Sequence, residues 1–414
     1  MNILTVITLL IIISATFSYL NERIIKLPGT IGVMTISVVV SLVLLIIGKV
    51  SDQKSGLIVS LASSIDFSKL LLDVMLGFLL FATALHFDYT KLKELKLAIV
   101  VLSTVGVILS TVVFGFLFFW ICLLLNIDMP LIYCFLFGAI ISPTDPIAVA
   151  AILKKSKIPP RLETIIAGES MFNDAIGLIL FVVLLGISDG ADANMSASFI
   201  LSLFAHEVVG GIIIGLIVGY IGFRLIRSIN DFQTIFLISV GLILGISLIA
   251  EKFDASVPLA AITSGLVIGN KSFGKNTDSQ KFLNQIWRLI DEVLNTILFV
   301  MIGLQLILLP FIKNYWLIGV LSIFIILIAR FLSVTLPALL LLGKKTNARN
   351  LFILTWAGLR GGISVAMALS LPSSHYKEII LSVCYLIVIF SVIVQGLTLN
   401  KLVERVTEKT AEHL

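Results

Sequence analysis

Three carboxylates stand where an apolar chain has least use for them. Residues 142–146 read Ser-Pro-Thr-Asp-Pro inside one apolar run, and residues 168–175 read Gly-Glu-Ser-Met-Phe-Asn-Asp-Ala inside the next. An ionised carboxylate at the centre of a membrane span costs about 2.5–3.5 kcal/mol even on a lenient insertion scale. Asp145, Glu169 and Asp174 in consecutive runs therefore point to a place where something charged binds and passes. Pro143 and Pro146 lack N–H groups and exclude helical hydrogen bonds to the carbonyls of Ala139 and Ser142. Freed carbonyls at membrane depth are tolerated only where protein or a wet cavity satisfies them. They are also hard oxygen donors, suited to a small alkali cation. Thr144 adds a hydroxyl and Asp145 a charge, and a half-helix starting at Pro146 would turn its positive end toward that carboxylate.

In the second run, Ser170 and Asp174 are four residues apart and share a helix face, while Glu169 and Asn173 share the adjacent one. Two carboxylates, two hydroxyls and loose carbonyls can surround one partly dehydrated cation. For Glu169 a structural polar network between helices is the preferred reading. A lone guanidinium, Arg330, lies near the middle of a later apolar run and needs a partner, for which Glu169 is the assigned carboxylate. Arg360, in Gly-Leu-Arg-Gly-Gly, either satisfies half-helix carbonyl ends at its own break or lines the cytoplasmic cavity. Unpaired, these five charges would cost about 12–18 kcal/mol on the same scale. That exceeds a typical total stability of about 5–15 kcal/mol, so pairing and water access must offset most of it.

The elements that position these residues follow from composition. Apolar residues make up 59% of the 414 and charged residues 13%, against about 25% charged in soluble domains. The mean hydropathy is +1.14. The chain reads as an all-α polytopic membrane protein in a lipid bilayer, and its net charge of +5 as loop lysines and arginines, with no nucleic-acid partner. The apolar runs are too continuous for barrel strands. Cys122, Cys134 and Cys384 lie in apolar runs without metal spacing and read as packing residues. The N-terminal run is read as a first helix and not a cleavable signal, because Arg23 and Lys26 follow it. Neither HExxH, GxGxxG nor a Walker sequence occurs, so no cofactor is expected and no enzyme chemistry is evident.

A span needs about 20 apolar residues. About thirteen runs qualify, near 3–20, 29–48, 70–86, 97–125, 131–153, 162–187, 199–226, 233–250, 256–270, 286–308, 315–342, 347–371 and 377–398. With the N-terminus outside, 21 of the 29 lysines and arginines fall on one side and six on the other, which makes that side and the C-terminus cytoplasmic. The fifth run is interrupted at 142–146 and the twelfth at 358–362. Their odd offset means they cross in opposite directions, as an inverted repeat requires. The expected organisation is a first repeat at 1–187, a linking helix at 199–226, a second repeat at 233–398, and a short tail at 399–414 with no regulatory domain. His86, at a helix end, reads as an interfacial residue or a pH gate; Asp291, Glu292 and Asn295 read as gate or packing residues.

These segments resemble the monovalent cation:proton antiporter family, in the branch of the bacterial NhaP-type antiporters and animal sodium/hydrogen exchangers. SPTDP (142–146), GESMFNDA (168–175), ARFLSV (329–334) and GLRGGIS (358–364) carry the likeness, with LNTILFVMIGLQL (294–306) and LPGTIGVM (27–34) beside them. The likeness covers essentially the whole transmembrane chain. It implies the NhaA-like antiporter fold: thirteen spans, helices 5 and 12 unwound and crossing, and a core of spans 4–6 and 11–13 moving against a dimerisation unit. It implies that Asp174 is the shared cation and proton carboxylate, with Asp145, Thr144 and Ser170 as co-ligands. Glu169 and Asn173 would form a network with Arg330. Asn173, standing before Asp174 where electrogenic relatives carry a second aspartate, implies one-for-one exchange. His86 and the short tail depart from the family pattern.

The expected activity is exchange of sodium or lithium for protons in a prokaryotic inner membrane by a homodimer. Asp174 would hold a cation or a proton, never both. Potassium/proton exchange in the same fold remains open, as does a cation channel, which uncoupled flux would reveal. An intramembrane aspartyl protease lacks an evident water-activating partner.

Overall fold

A computed structural model describes residues 2–51, 66–145, 149, 158–188, 197–269, 277–308, 312–342 and 348–411. The helices among them are α1 (Ile3–Leu20), α2 (Gly29–Ser51), α3 (Phe67–His86), α4 (Tyr89–Leu124), α5 (Leu131–Ile141), α6 (Pro160–Ser188) and α7 (Ala197–Arg227). They continue with α8 (Phe232–Lys252), α9 (Val257–Gly269), α10 (Thr277–Gln305), α11 (Ile312–Leu342), α12 (Ala348–Trp356), α13 (Gly362–Ser370) and α14 (His375–Arg405). No strand occurs among the described residues. Nine of the described helices are long and apolar enough to cross a membrane, and three further apolar helices are shorter.

Local sequence sets several of the ends. Asp88 accepts from the amides of Thr90 and Lys91 and starts α4; Asp231 does the same for α8 through Thr234. Lys377 reaches back from α14 and donates to the carbonyls of Leu369 (2.7 Å) and Leu371 (2.6 Å), closing the C-terminal end of α13. Along α4, Val105, Ile108, Val112 and Phe116 are exposed at three- and four-residue spacing. An apolar stripe of that length suits lipid and not water.

Several helices are longer than their apolar runs, two of them with buried residues in the added turns. The run at 286–308 belongs to a helix that begins at Thr277. Its early turns carry Leu283 and Trp287, fully buried four residues apart against Phe81 of α3 and Ile235 and Ile243 of α8. The tail expected at 399–414 continues α14 helically to Ala411, with Leu399 and Val403 fully buried. Both extensions are amphipathic, so their polar faces mask them in a search for continuous apolar stretches.

The helices pack in two groups. α4 lies against α5, α6 and α11, while α11 also meets α12 and α14, and α13 meets α14 and α5. The second group sets α7 against α8 and α9, α9 against α3, and α10 against α2 and α1. The groups meet where α13 and α6 face α3, α9 and α10.

Candidate ion-binding site

Both interruptions lie at the meeting of the two groups. α5 ends at Ile141 and residues 143–145 are not helical; α12 ends at Trp356 and α13 starts at Gly362. The expected half-helix from Pro146 lies outside the described residues. The two non-helical segments bind each other: the Asp145 amide donates to the Leu359 carbonyl at 2.7 Å. Arg360 donates through Nη1 to the carbonyls of Ser142 and of Pro143, the latter at 2.9 Å. The carbonyl of Ser142, which Pro146 withholds from helical bonding, is thus taken by a guanidinium from the other break. Arg360 therefore satisfies carbonyl ends at the first interruption and not at its own. Its backbone amide is held by the Ser391 hydroxyl at 2.8 Å.

The approach is close enough to constrain side chains. A Cβ on Gly361 would lie 2.3 Å from Oδ2 of Asp145, and one on Gly177 of α6 would lie 2.3 Å from Cγ of Pro143. Only glycine lets these segments touch.

α6 delivers the remaining groups. Asn173 accepts from the Thr144 amide at 3.2 Å and donates to the Thr144 hydroxyl at 2.7 Å. That hydroxyl also lies 2.9 Å from the Ser170 hydroxyl. Asn173 thus joins Thr144 and not the Arg330 network. Glu169 is fully buried and receives both Nη atoms of Arg330, one of them at 3.0 Å; Nη2 also lies 3.4 Å from the Leu354 carbonyl. A fork-to-fork pair of this kind holds α6 to α11 at a depth where either charge alone would be costly.

Asp145 and Asp174, 9% and 3% exposed, line one cavity. Thr144, Asn295 and Ser364 share its wall with leucines of α3 and α10. The acidic stretch at the start of the tenth apolar run divides. Glu292 pairs outward with Arg288 at 3.2 Å, both well exposed, whereas Asn295 is fully buried and faces the cavity. His86 places its two ring nitrogens 2.6 Å from the Ala82 carbonyl and 2.8 Å from the Asn284 carbonyl, so it bridges the end of α3 to α10. Among the described residues no cluster of three or more His, Cys, Asp or Glu is arranged around a metal ion.

The fold and site describe a polytopic membrane protein with a buried, oxygen-lined acidic cavity between two interrupted helices. The family model described as "Sodium/hydrogen exchanger, transmembrane" matches residues 10–405. The chain belongs to that family, whose members are secondary transporters and not enzymes. It is 39% identical over 410 residues to the Na(+)/H(+) antiporter NhaP of Pseudomonas aeruginosa, covering 96% of this chain and 95% of that one. The Na(+)/H(+) antiporter NhaH of Halobacillus dabanensis is 29% identical over 92% of this chain and 93% of its own. Among solved structures, the sodium proton antiporter MjNhaP1 from Methanocaldococcus jannaschii at pH 8 superposes with a TM-score of 0.79 at 20% identity, covering 98% of this chain and 99% of that one. That likeness concerns the fold.

Proposed function

We propose that this protein exchanges sodium or lithium ions for protons across a prokaryotic inner membrane, one for one, by alternating access at a midplane site centred on Asp174. The observation that carries the reading is the shared burial of Asp174 and Asp145 in one cavity where the two interruptions meet. The cation is a substrate and no cofactor takes part. Asp174 and Asp145 supply charge to it, Thr144 and Ser170 supply hydroxyl oxygens, and Asn173 fixes Thr144. Glu169 with Arg330 ties α6 to α11, and Arg360 ties the two interruptions together.

Occupation of Asp174 by a cation or by a proton, but not both, makes the flux an exchange. The neutralised site crosses between the two helix groups; the empty, charged one is held back by the cost of an uncompensated buried carboxylate. The packing supports two inverted repeats at 1–187 and 233–398, linked by 199–226. Each sequence half places its first three helices in one group and its later ones in the other. Thirteen crossings, an outer N-terminus, a cytoplasmic C-terminus with tail 399–414, and a homodimer complete the proposal.

The test is proton movement in everted vesicles after adding sodium, lithium or potassium, repeated with valinomycin. Sodium- or lithium-driven proton release that is indifferent to valinomycin is expected. A response to potassium alone transfers the reading to potassium exchange, and cation flux without proton movement transfers it to a channel.

A further inference from the structure

The cavity holds two oxygens that its carboxylates do not account for. Asn295 of α10 is fully buried and Ser364 of α13 is 1% exposed. Asn295 Oδ1 and Ser364 Oγ both lack a hydrogen-bond partner among the described residues, and both residues line the cavity with Asp145 and Asp174. A buried acceptor left without a partner costs about 1–3 kcal/mol, so such atoms call for a ligand.

Chemistry fixes which end of the amide is free. Nδ2 of Asn295 donates to the Asp291 carbonyl at 2.7 Å and to the Asp291 carboxylate at 3.0 Å. An ionised aspartate and a carbonyl only accept, so the NH₂ must face Asp291 and the oxygen must face away. The cavity lining places the residue. Leu298, one helical turn on, lies against the start of α13, where a Cβ on Gly362 would sit 2.7 Å from it. Asn295 lines the same cavity as the first turn of α13, the turn that carries Ser364.

We propose that Asn295 Oδ1, oriented by Asp291 and joined by Ser364 Oγ, supplies neutral oxygens to the transported monovalent cation and so sets which cation the site prefers. The inference rests on the exchange reading above and adds two groups to the cavity that Thr144, Asp145 and Asp174 line. A cation stripped of water needs several oxygens, and neutral dipoles add coordination without adding a titrating charge. Asp291 is a positioning residue: it touches the amide and not the ion.

The experiment measures apparent KM for sodium, lithium and potassium in proteoliposomes for wild type, Asn295→Leu, Asn295→Asp, Ser364→Ala and Asp291→Asn. Wild-type exchange and its loss in Asp174→Ala must both be seen first; their failure strikes the exchange reading, not this one. Asn295→Leu, which keeps the volume and removes the oxygen, should raise the sodium KM about tenfold, the size of one lost polar contact to a charge. It should also change the lithium-to-sodium KM ratio by about threefold or more, which a structural role does not move. Asp291→Asn, whose amide can also donate, should release the orientation and shift the same ratio in the same direction. If Asn295→Leu fails to insert, Asn295→Asp carries the test, because it preserves shape and oxygen while adding charge. Unchanged KM values and ratios in whichever Asn295 variant inserts would overturn the proposal.

Discussion

Glu169 and Arg330 show how far single residues can be read. A guanidinium in the middle of an apolar run must have a partner, and the acidic choices were few. Removing one member leaves a buried charge alone, at about 3–5 kcal/mol. Glu169→Ala should therefore lower the midpoint of thermal unfolding in detergent markedly, and Glu169→Leu with Arg330→Met should recover most of the loss. Stability of the single variant equal to wild type would contradict the pairing. Asn295 was less legible, since an amide at one position of an apolar helix looks the same whether it packs or binds. Its proposed role rests on an unpartnered oxygen, which only the packed fold reveals. The family resemblance places Asn173 in a network with Glu169 and Arg330, whereas its hydrogen bonds in the structure go to Thr144 across the interruption.

Among the elements, the interruptions were visible as prolines and glycines set in apolar runs, but their mutual contact was not. Asp145 and Leu359 meet over more than 200 residues of chain, a separation that no local signal spans. The contact makes a sharp prediction. Gly361→Ala would drive a methyl to 2.3 Å from Asp145 Oδ2, whereas a Cβ on Gly186 in α6 meets nothing within 4 Å. Transport should fall about tenfold or more in Gly361→Ala and stay near wild type in Gly186→Ala, at equal amounts of membrane-inserted protein. Equal rates in the two would separate the interruptions from function. The extended starts and ends of α10 and α14 escaped notice for a different reason: half of each helix surface is polar, so hydropathy dips while burial continues.

For the whole molecule, composition goes furthest, because lipid leaves few alternatives to apolar helices. The proposed thirteen crossings would put the termini on opposite sides. A reporter that is active only in the cytoplasm should work at the C-terminus, and one active only outside should work in the loop near Asp128. Both on one side would break the inverted-repeat reading, and the reverse result would overturn the orientation drawn from loop charge. The grouping of helices, which the family resemblance implies as spans 4–6 with 11–13, is not readable from sequence order alone, since each half contributes to both groups. What the assembly is proposed to do reduces to competition at one carboxylate, and steady-state exchange reads it directly. Apparent KM for sodium should rise with proton concentration while the maximal rate at saturating sodium holds, and Asp174→Ala should insert normally and carry no sodium-dependent proton flux. Wild-type turnover in Asp174→Ala, or protons that depress the maximal rate without touching KM, would contradict the account.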